Sequence, residues 1–96
     1  MHPCPHCGAV LTATAAIAID AATTHTRTNP AGEQFTVRCY AAAAGAAPGG
    51  PATDEHTWFA GHTWRRLFCK QCSTHVGWQF RSRARVFVGL IADAPA

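Results

Sequence analysis

The segment HTWFAGHTWRRLFCKQCSTHVGWQF, residues 56–80, contains all three tryptophans of the chain, Trp58, Trp64 and Trp78, together with a C-x2-C pair at Cys69 and Cys72. Its reading decides the fold. A C-x2-C pair brings two thiols onto one tight turn, and this turn is flanked by two strand-like runs, WRRLFC and THVGWQF. In the second run Val76, Trp78 and Phe80 alternate onto one face. The pattern predicts a hairpin bent at the cysteines, with Trp64, five positions before Cys69, almost opposite Trp78, six positions after Cys72. In one straight strand Trp58 and Trp64 would lie about 20 Å apart. The Ala60-Gly61 pair between them offers a place to fold back, so that the third indole joins the other two.

The other end of the chain carries a matching turn. CPHCG, residues 4–8, is a second C-x2-C pair, with Pro5 restricting one backbone angle and Gly8 free to take a left-handed conformation. Cys4, Cys7, Cys69 and Cys72 together supply four thiolates, a complete tetrahedral shell for one structural zinc ion with no position open to substrate. The 61 residues between the pairs exceed a short zinc ribbon, and such pairs also hold iron, but no cluster-type spacing is present. A site closed over that separation ties the two ends of the domain together. His6 and His75 lie beside a shell that is already full, which makes them bystanders or outer hydrogen-bond donors. Cys39 is left over on the inward face of its strand, as a small core residue.

Composition narrows the function. The 96 residues make one domain, 1–96, burying roughly 60 to 70% of its unfolded surface. Only 14% of residues are charged and the net charge is +3, although six of the eight basic residues (Arg65, Arg66, Lys70, Arg81, Arg83 and Arg85) fall in one third of the chain. That clustering is too sparse for a nucleic-acid footprint; RSRAR reads as a charged strand edge or turn. No apolar run is long enough to span a membrane, and cysteines stand where the apolar core of a signal peptide would begin. A cytoplasmic location, where thiols stay reduced and paired cysteines hold metal, is the expectation.

The rest of the chain predicts short strands. VLTATAAIAID reads as a strand, residues 21–32 as a loop ending in the ordered bend TNPAG, and QFTVRCY as a half-buried strand with Phe35, Val37 and Cys39 on one face. AAAAGAAPGGPAT, residues 41–53, is low in complexity and reads as a flexible Ala/Gly/Pro loop. RVFVGLI is the last strand, and 92–96 a frayed tail. No long amphipathic helix is predicted, so the fold class is mostly β.

Three tryptophans in so small a protein can simply be core. Small or polar residues (Thr57, Thr63 and Gly77) accompany the rings, however, and His56 precedes the first of them; indoles rimmed by a few polar groups make a ligand site. An aromatic cage of this kind can also hold a methylated ammonium group, with Asp54 and Glu55 adding negative charge. No carboxylate pair or Ser-His-Asp set points to hydrolysis, and no cysteine follows the second C-x2-C pair, as a methionine-sulfoxide-reductase-like enzyme would need; the chain is not expected to be an enzyme.

The 56–80 segment resembles the tryptophan and zinc segment of the CULT domain family, the thalidomide-binding domain of cereblon and of small single-domain bacterial relatives. CPHCG, TNPAG and VFVGLI follow in the family's order, so the resemblance extends over nearly the whole chain. It implies a β-tent fold, two antiparallel sheets pinned by a four-cysteine zinc site, and a pocket walled by Trp58, Trp64 and Trp78 with Phe80 beside them. It further implies that His56-Thr57-Trp58 supplies the groups that bond the imide and that Asn29 closes over the ligand. The ligands implied are glutarimide and thalidomide-type cyclic imides, C-terminal cyclic imides on proteins and, more weakly, uridine-like molecules. No nucleic-acid or membrane partner is expected, and the chain is expected to be a monomer. A ubiquitin-ligase scaffold-binding region is not expected within the chain. Two departures, His62 in place of an aromatic Tyr and Ala60 in place of Pro or Lys, fall at the pocket rim.

Overall fold

The computed structural model describes residues 1–92. Its eight strands are β1 (His2–Pro3), β2 (Val10–Thr12), β3 (Thr24–Thr28), β4 (Gln34–Tyr40), β5 (Ala46–Thr53), β6 (Thr63–Cys69), β7 (His75–Arg81) and β8 (Val86–Ile91). All pairings are antiparallel: β1 and β2 form a small sheet, and the other six form a sheet in the order β3-β4-β8-β7-β6-β5. The chain thus makes one hairpin, crosses to the far edge, and meanders back until β8 closes against β4. The mostly β, two-sheet architecture implied by the resemblance is the one observed.

Each C-x2-C pair sits in a turn of one design. In the first, the Cys4 N–H donates to Ala9 O at 2.7 Å and the Gly8 N–H to Cys4 O at 2.9 Å; in the second, the Cys69 N–H donates to Thr74 O and the Ser73 N–H to Cys69 O, both at 2.8 Å. The fifth residue of each turn must take a left-handed angle, φ 80° at Gly8 and 64° at Ser73. The second turn closes the β6–β7 hairpin, and the first joins β1 to β2, so the two sheets meet at the cysteines.

The large sheet separates two cores. On the cysteine side Leu11, Tyr40, Leu67, Val76, Val88 and Leu90 pack with Cys4 and Cys69. On the other side Ile19, Val37, Cys39, Phe59, Trp78, Phe80 and Phe87 pack together, with Phe35, Trp58 and Trp64 half-buried against them. Val76 departs from the expected shared face with Trp78 and Phe80. The hairpin register slips between Leu67 and Phe68, which pair with Gly77 and His75. A bulge leaves Val76 unpaired and turns it to the cysteine side.

Three other expectations are corrected. VLTATAAIAID forms only the three-residue β2 and an isolated bridge between Ile19 and Ala22. The supposed loop at 21–32 contains β3, whose threonines favour a pleated strand and whose His25 turns inward. Residues 41–53 are not all loop, because 46–53 form β5. That strand lies on the edge and pairs only with β6, where Pro48 and Pro51 lose no ladder bond to a second neighbour. Gly49 is a packing requirement, since a Cβ there would lie 2.7 Å from the Phe68 ring. The expected tail at 92–96 lies, apart from Ala92, outside the described residues.

Backbone crowding at the sheet centre is tightest at Gly77, where a Cβ would meet Gly89 O at 2.1 Å and Leu90 Cα at 3.0 Å. Gly77→Ala is therefore expected to destabilise the protein by about 1 to 3 kcal/mol or more through overpacking. A lowered midpoint in thermal or urea unfolding would register this, and a melt unchanged from wild type would contradict it.

Candidate functional site

The four cysteines converge. Cys4 Sγ lies 3.7 Å from Cys72 Sγ and Cys7 Sγ 3.7 Å from Cys69 Sγ, and all four sulfur atoms lie within 4.8 Å of one another. Four thiolates about 2.3 Å from a tetrahedral ion stand about 3.8 Å apart, so the cluster has the size of a metal shell. The Thr74 hydroxyl, 3.1 Å from Cys72 Sγ, together with the Thr74 backbone draws that thiol down to about 6. Cys7 is pulled down by the Ala9 backbone, but burial and the thiols of Cys72, Cys69 and Cys4 outweigh this and raise it to about 12. Neighbouring thiols thus resist joint ionisation, which a divalent cation would relieve. His75 is not part of the shell. Its Nε2–H donates to Gly77 O at 2.9 Å, and burial, opposed by that bond and reinforced by the Arg66 charge, lowers its pKa.

A cavity of about 800 Å³ opens on the opposite face of the sheet, within the range of small-molecule sites. Asn29, His56, Trp58, Trp64, Trp78 and Phe80 all line it. Thr57 does not: its hydroxyl donates to Phe59 O at 3.2 Å and its backbone N–H to Asp54 O at 3.3 Å.

The indoles meet differently from the sequence expectation. In the hairpin Trp64 pairs with Phe80, and Trp78 with Arg66, so Trp64 and Trp78 share a face diagonally rather than directly. The offset of two residues comes half from the turn, which pairs Phe68 with His75, and half from the bulge at Val76. The close pair is Trp58 with Trp78, edge to face with centroids 4.5 Å apart. Phe35 adds a wall, 5.1 Å from Trp78 and 6.0 Å from Trp58. Trp64 is held separately by its indole N–H, which donates to Glu55 O at 2.8 Å. The rings therefore make a corner with one detached wall.

Loop 54–62 positions this corner. Gly61 takes φ 79°, and the His62 N–H donates to Phe59 O at 3.1 Å, folding Trp58 back towards the hairpin. His56, a residue with a Cβ, is held at φ 57°. Among the described residues, the backbone groups of His56 and the Trp58 N–H have no hydrogen-bond partner. His56 and Trp58 both line the cavity, and the Trp58 carbonyl accepts from Arg27 Nε at 3.4 Å.

Asn29 is tied into its own turn. Its Oδ1 accepts from the Glu33 N–H at 2.8 Å, and its Nδ2 donates to Glu33 Oε1 at 3.1 Å. His62, expected at the rim, is buried instead: Nδ1–H donates to Ala60 O at 2.9 Å and Nε2 accepts from Arg85 Nε at 3.1 Å. It pins loop 54–62 to the β7–β8 turn.

Sequence reasoning missed Phe35, Arg66, Phe68, His75, Glu33 and Ile91 as cavity residues. The alternation of β6 carried a usable signal, since Trp64, Arg66 and Phe68 must share one face. Cys39 is fully buried, and burial raises its thiol to about 11, which agrees with a core role and opposes a nucleophilic one.

Comparison with known proteins agrees with this geometry. Residues 1–90 match the family described as Yippee zinc-binding/DNA-binding/Mis18, centromere assembly. The chain is 46% identical over 50 residues to protein cereblon of Drosophila willistoni, an alignment covering 47% of this chain and 8% of cereblon. It is 40% identical over 51 residues to protein cereblon of Drosophila virilis, covering 48% and 8%. The match thus spans less than a tenth of these relatives' length. With both cysteine turns and nearly all of its length inside the match, the chain belongs to the Yippee-Mis18 family.

Proposed function

We propose that the chain is a zinc-stabilised module that binds cyclic imides, free as glutarimide or thalidomide-type compounds or displayed as a protein C-terminal cyclic imide. The observation that carries this is the free backbone edge at residues 56–58 beside the Trp58–Trp78 corner. The His56 carbonyl can accept the imide N–H, and the Trp58 N–H can donate to an imide carbonyl, while the ring methylenes pack on the indoles of Trp58, Trp64 and Trp78 and on Phe80. Asn29 closes the cavity through the turn it stabilises with Glu33. Thr57 contributes by holding its loop. Uridine-like molecules, which share an imide edge, would bind more weakly.

Zinc is the metal proposed for the four thiols, as one structural ion, because thiolate-only tetrahedral shells suit it. Retaining it requires reduced cysteines, in keeping with a cytoplasmic location; no helix among the described residues is long and apolar enough to cross a membrane. Several arginines serve the fold: Arg85 bonds His62, Arg65 Nε donates to Gly50 O at 3.1 Å, and Arg27 lies over the Phe59 ring. These contacts favour a partner other than nucleic acid, and the chain is proposed to act as one domain and a monomer.

A methylated-ammonium cage is the second reading, and Glu33 and Glu55 on the cavity wall favour it. Arg66 on the same wall opposes it.

Two experiments test these assignments. Stripping the metal with a strong chelator under reducing conditions should abolish the cooperative melt, because apparent zinc-binding energies of about 10–16 kcal/mol in small peptides exceed the usual net stability of a domain, about 5–15 kcal/mol, or rival it. One equivalent of Zn²⁺ should restore the melt, and a metal-free sample that still unfolds cooperatively would refute the structural role. Tryptophan fluorescence titrations should show binding of a glutarimide but not of trimethyllysine. Methylating the imide nitrogen should weaken binding by about 1 to 3 kcal/mol, since a buried acceptor is then left unpaired, and Trp64→Ala should weaken it as well. Equal affinity for the methylated compound would contradict the model of the imide edge.

A further inference from the structure

The cavity is longer than a single imide ring needs. Along the β6–β7 hairpin its wall consists of three cross-strand rows: Trp64 with Phe80, Arg66 with Trp78, and Phe68 with His75. Residues two apart on a strand are separated by about 7 Å, and the third row continues the wall from the indole corner, His75 packing on Trp78 with centroids 4.8 Å apart and Phe68 on His75 at 5.6 Å. The imide reading uses the first row and Trp78, and His75 is held by Trp78 and Gly77 O, which leaves Arg66 and Phe68 without a role.

Arg66 is the arginine that lines the cavity. Arg27, Arg65 and Arg85 each donate to a named acceptor. Arg66 is exposed on the cavity wall and has neither hydrogen bond nor ion pair among the described residues. The two carboxylates of the cavity come from other segments and already engage neighbours, Glu33 with Asn29 and Glu55 with His56 at 3.9 Å. Across from Arg66 on the edge strand stands Gly49, which has no side chain to shield it and over which the Phe68 ring leans. An unpaired guanidinium beside aromatic rings, open on one flank, suits a planar anion that it can grip with two parallel N–H bonds.

We propose that Arg66, flanked by the Phe68 ring, forms a second subsite that takes a carboxylate carried on a short arm of the ring ligand. The proposal rests on the cyclic-imide reading of the cage. It makes the preferred ligand an imide bearing an acidic substituent and gives the cavity a direction, ring at Trp58 and Trp78, acid towards Phe68.

The test compares 3-aminoglutarimide acylated with an acetyl group, which is neutral, with the same ring acylated with a succinyl group, which ends in a carboxylate. With the zinc-loaded chain at low ionic strength, the succinyl compound is expected to bind about three- to fivefold tighter, the scale of an exposed charge pair, and the preference should fade as salt is added. Arg66→Gln should bring the ratio of the two affinities to about one, and Arg66→Lys should keep part of it. A ratio of one in the wild type, or the same ratio in wild type and Arg66→Gln, would overturn the subsite while leaving the cage reading intact. If neither compound bound the wild type, the cage reading itself would fall, and the subsite with it.

Discussion

Convergence of four thiols from the two ends of the chain is the constraint on which the rest depends. Each C-x2-C turn is local, set by a few backbone hydrogen bonds and one left-handed residue. Bringing them together fixes the small β1–β2 sheet against the β6–β7 hairpin. A domain of this size has little apolar area with which to offset chain entropy, so an ion held by the four thiols would supply what the core does not. Cys4 and Cys69 also belong to the core cluster on that side of the sheet, which couples metal binding directly to packing.

The large sheet then acts as a partition. One face is occupied by aliphatic residues and cysteines, the other by aromatic ones. Stiff strands joined at the cysteine turns hold Trp64, Trp78 and Phe80 in place, and the loop carrying His56 and Trp58 is folded over them by Gly61 and by buried His62. This division lets a protein with a small core still present a cavity: stability is concentrated on one side, and the half-buried rings on the other remain available to a ligand.

Much of this was legible in the sequence. Strands 34–40, 63–69, 75–81 and 86–91 follow from alternation, and the metal ligands from spacing. Errors fell where packing overrode composition. The Ala/Gly/Pro run at 46–53 looked structureless because glycine and proline are poor strand formers, yet an edge strand tolerates proline and Gly49 is needed under Phe68. THTRT at 24–28 was hidden by polar composition, since only His25 turns fully inward. His62 read as a rim residue, and its burial between Ala60 and Arg85 could not be inferred from its neighbours in sequence.

The sequence by itself determined the elements whose causes are short in range: two thiol turns, the alternating strands, and a tryptophan-rich segment around one of those turns. These follow from covalent geometry and side-chain period, which act within a few residues. Tertiary structure alone decided how the pieces face one another. The turn, which pairs Phe68 with His75, and the bulge at Val76 each shifted the register by one residue and so set Trp64 across from Phe80 instead of Trp78, the Asn29 amide was taken up by Glu33, and Arg66 was left on the cavity wall without a partner among the described residues. Register and partnership depend on residues far apart in the chain, and pattern reading has no access to them.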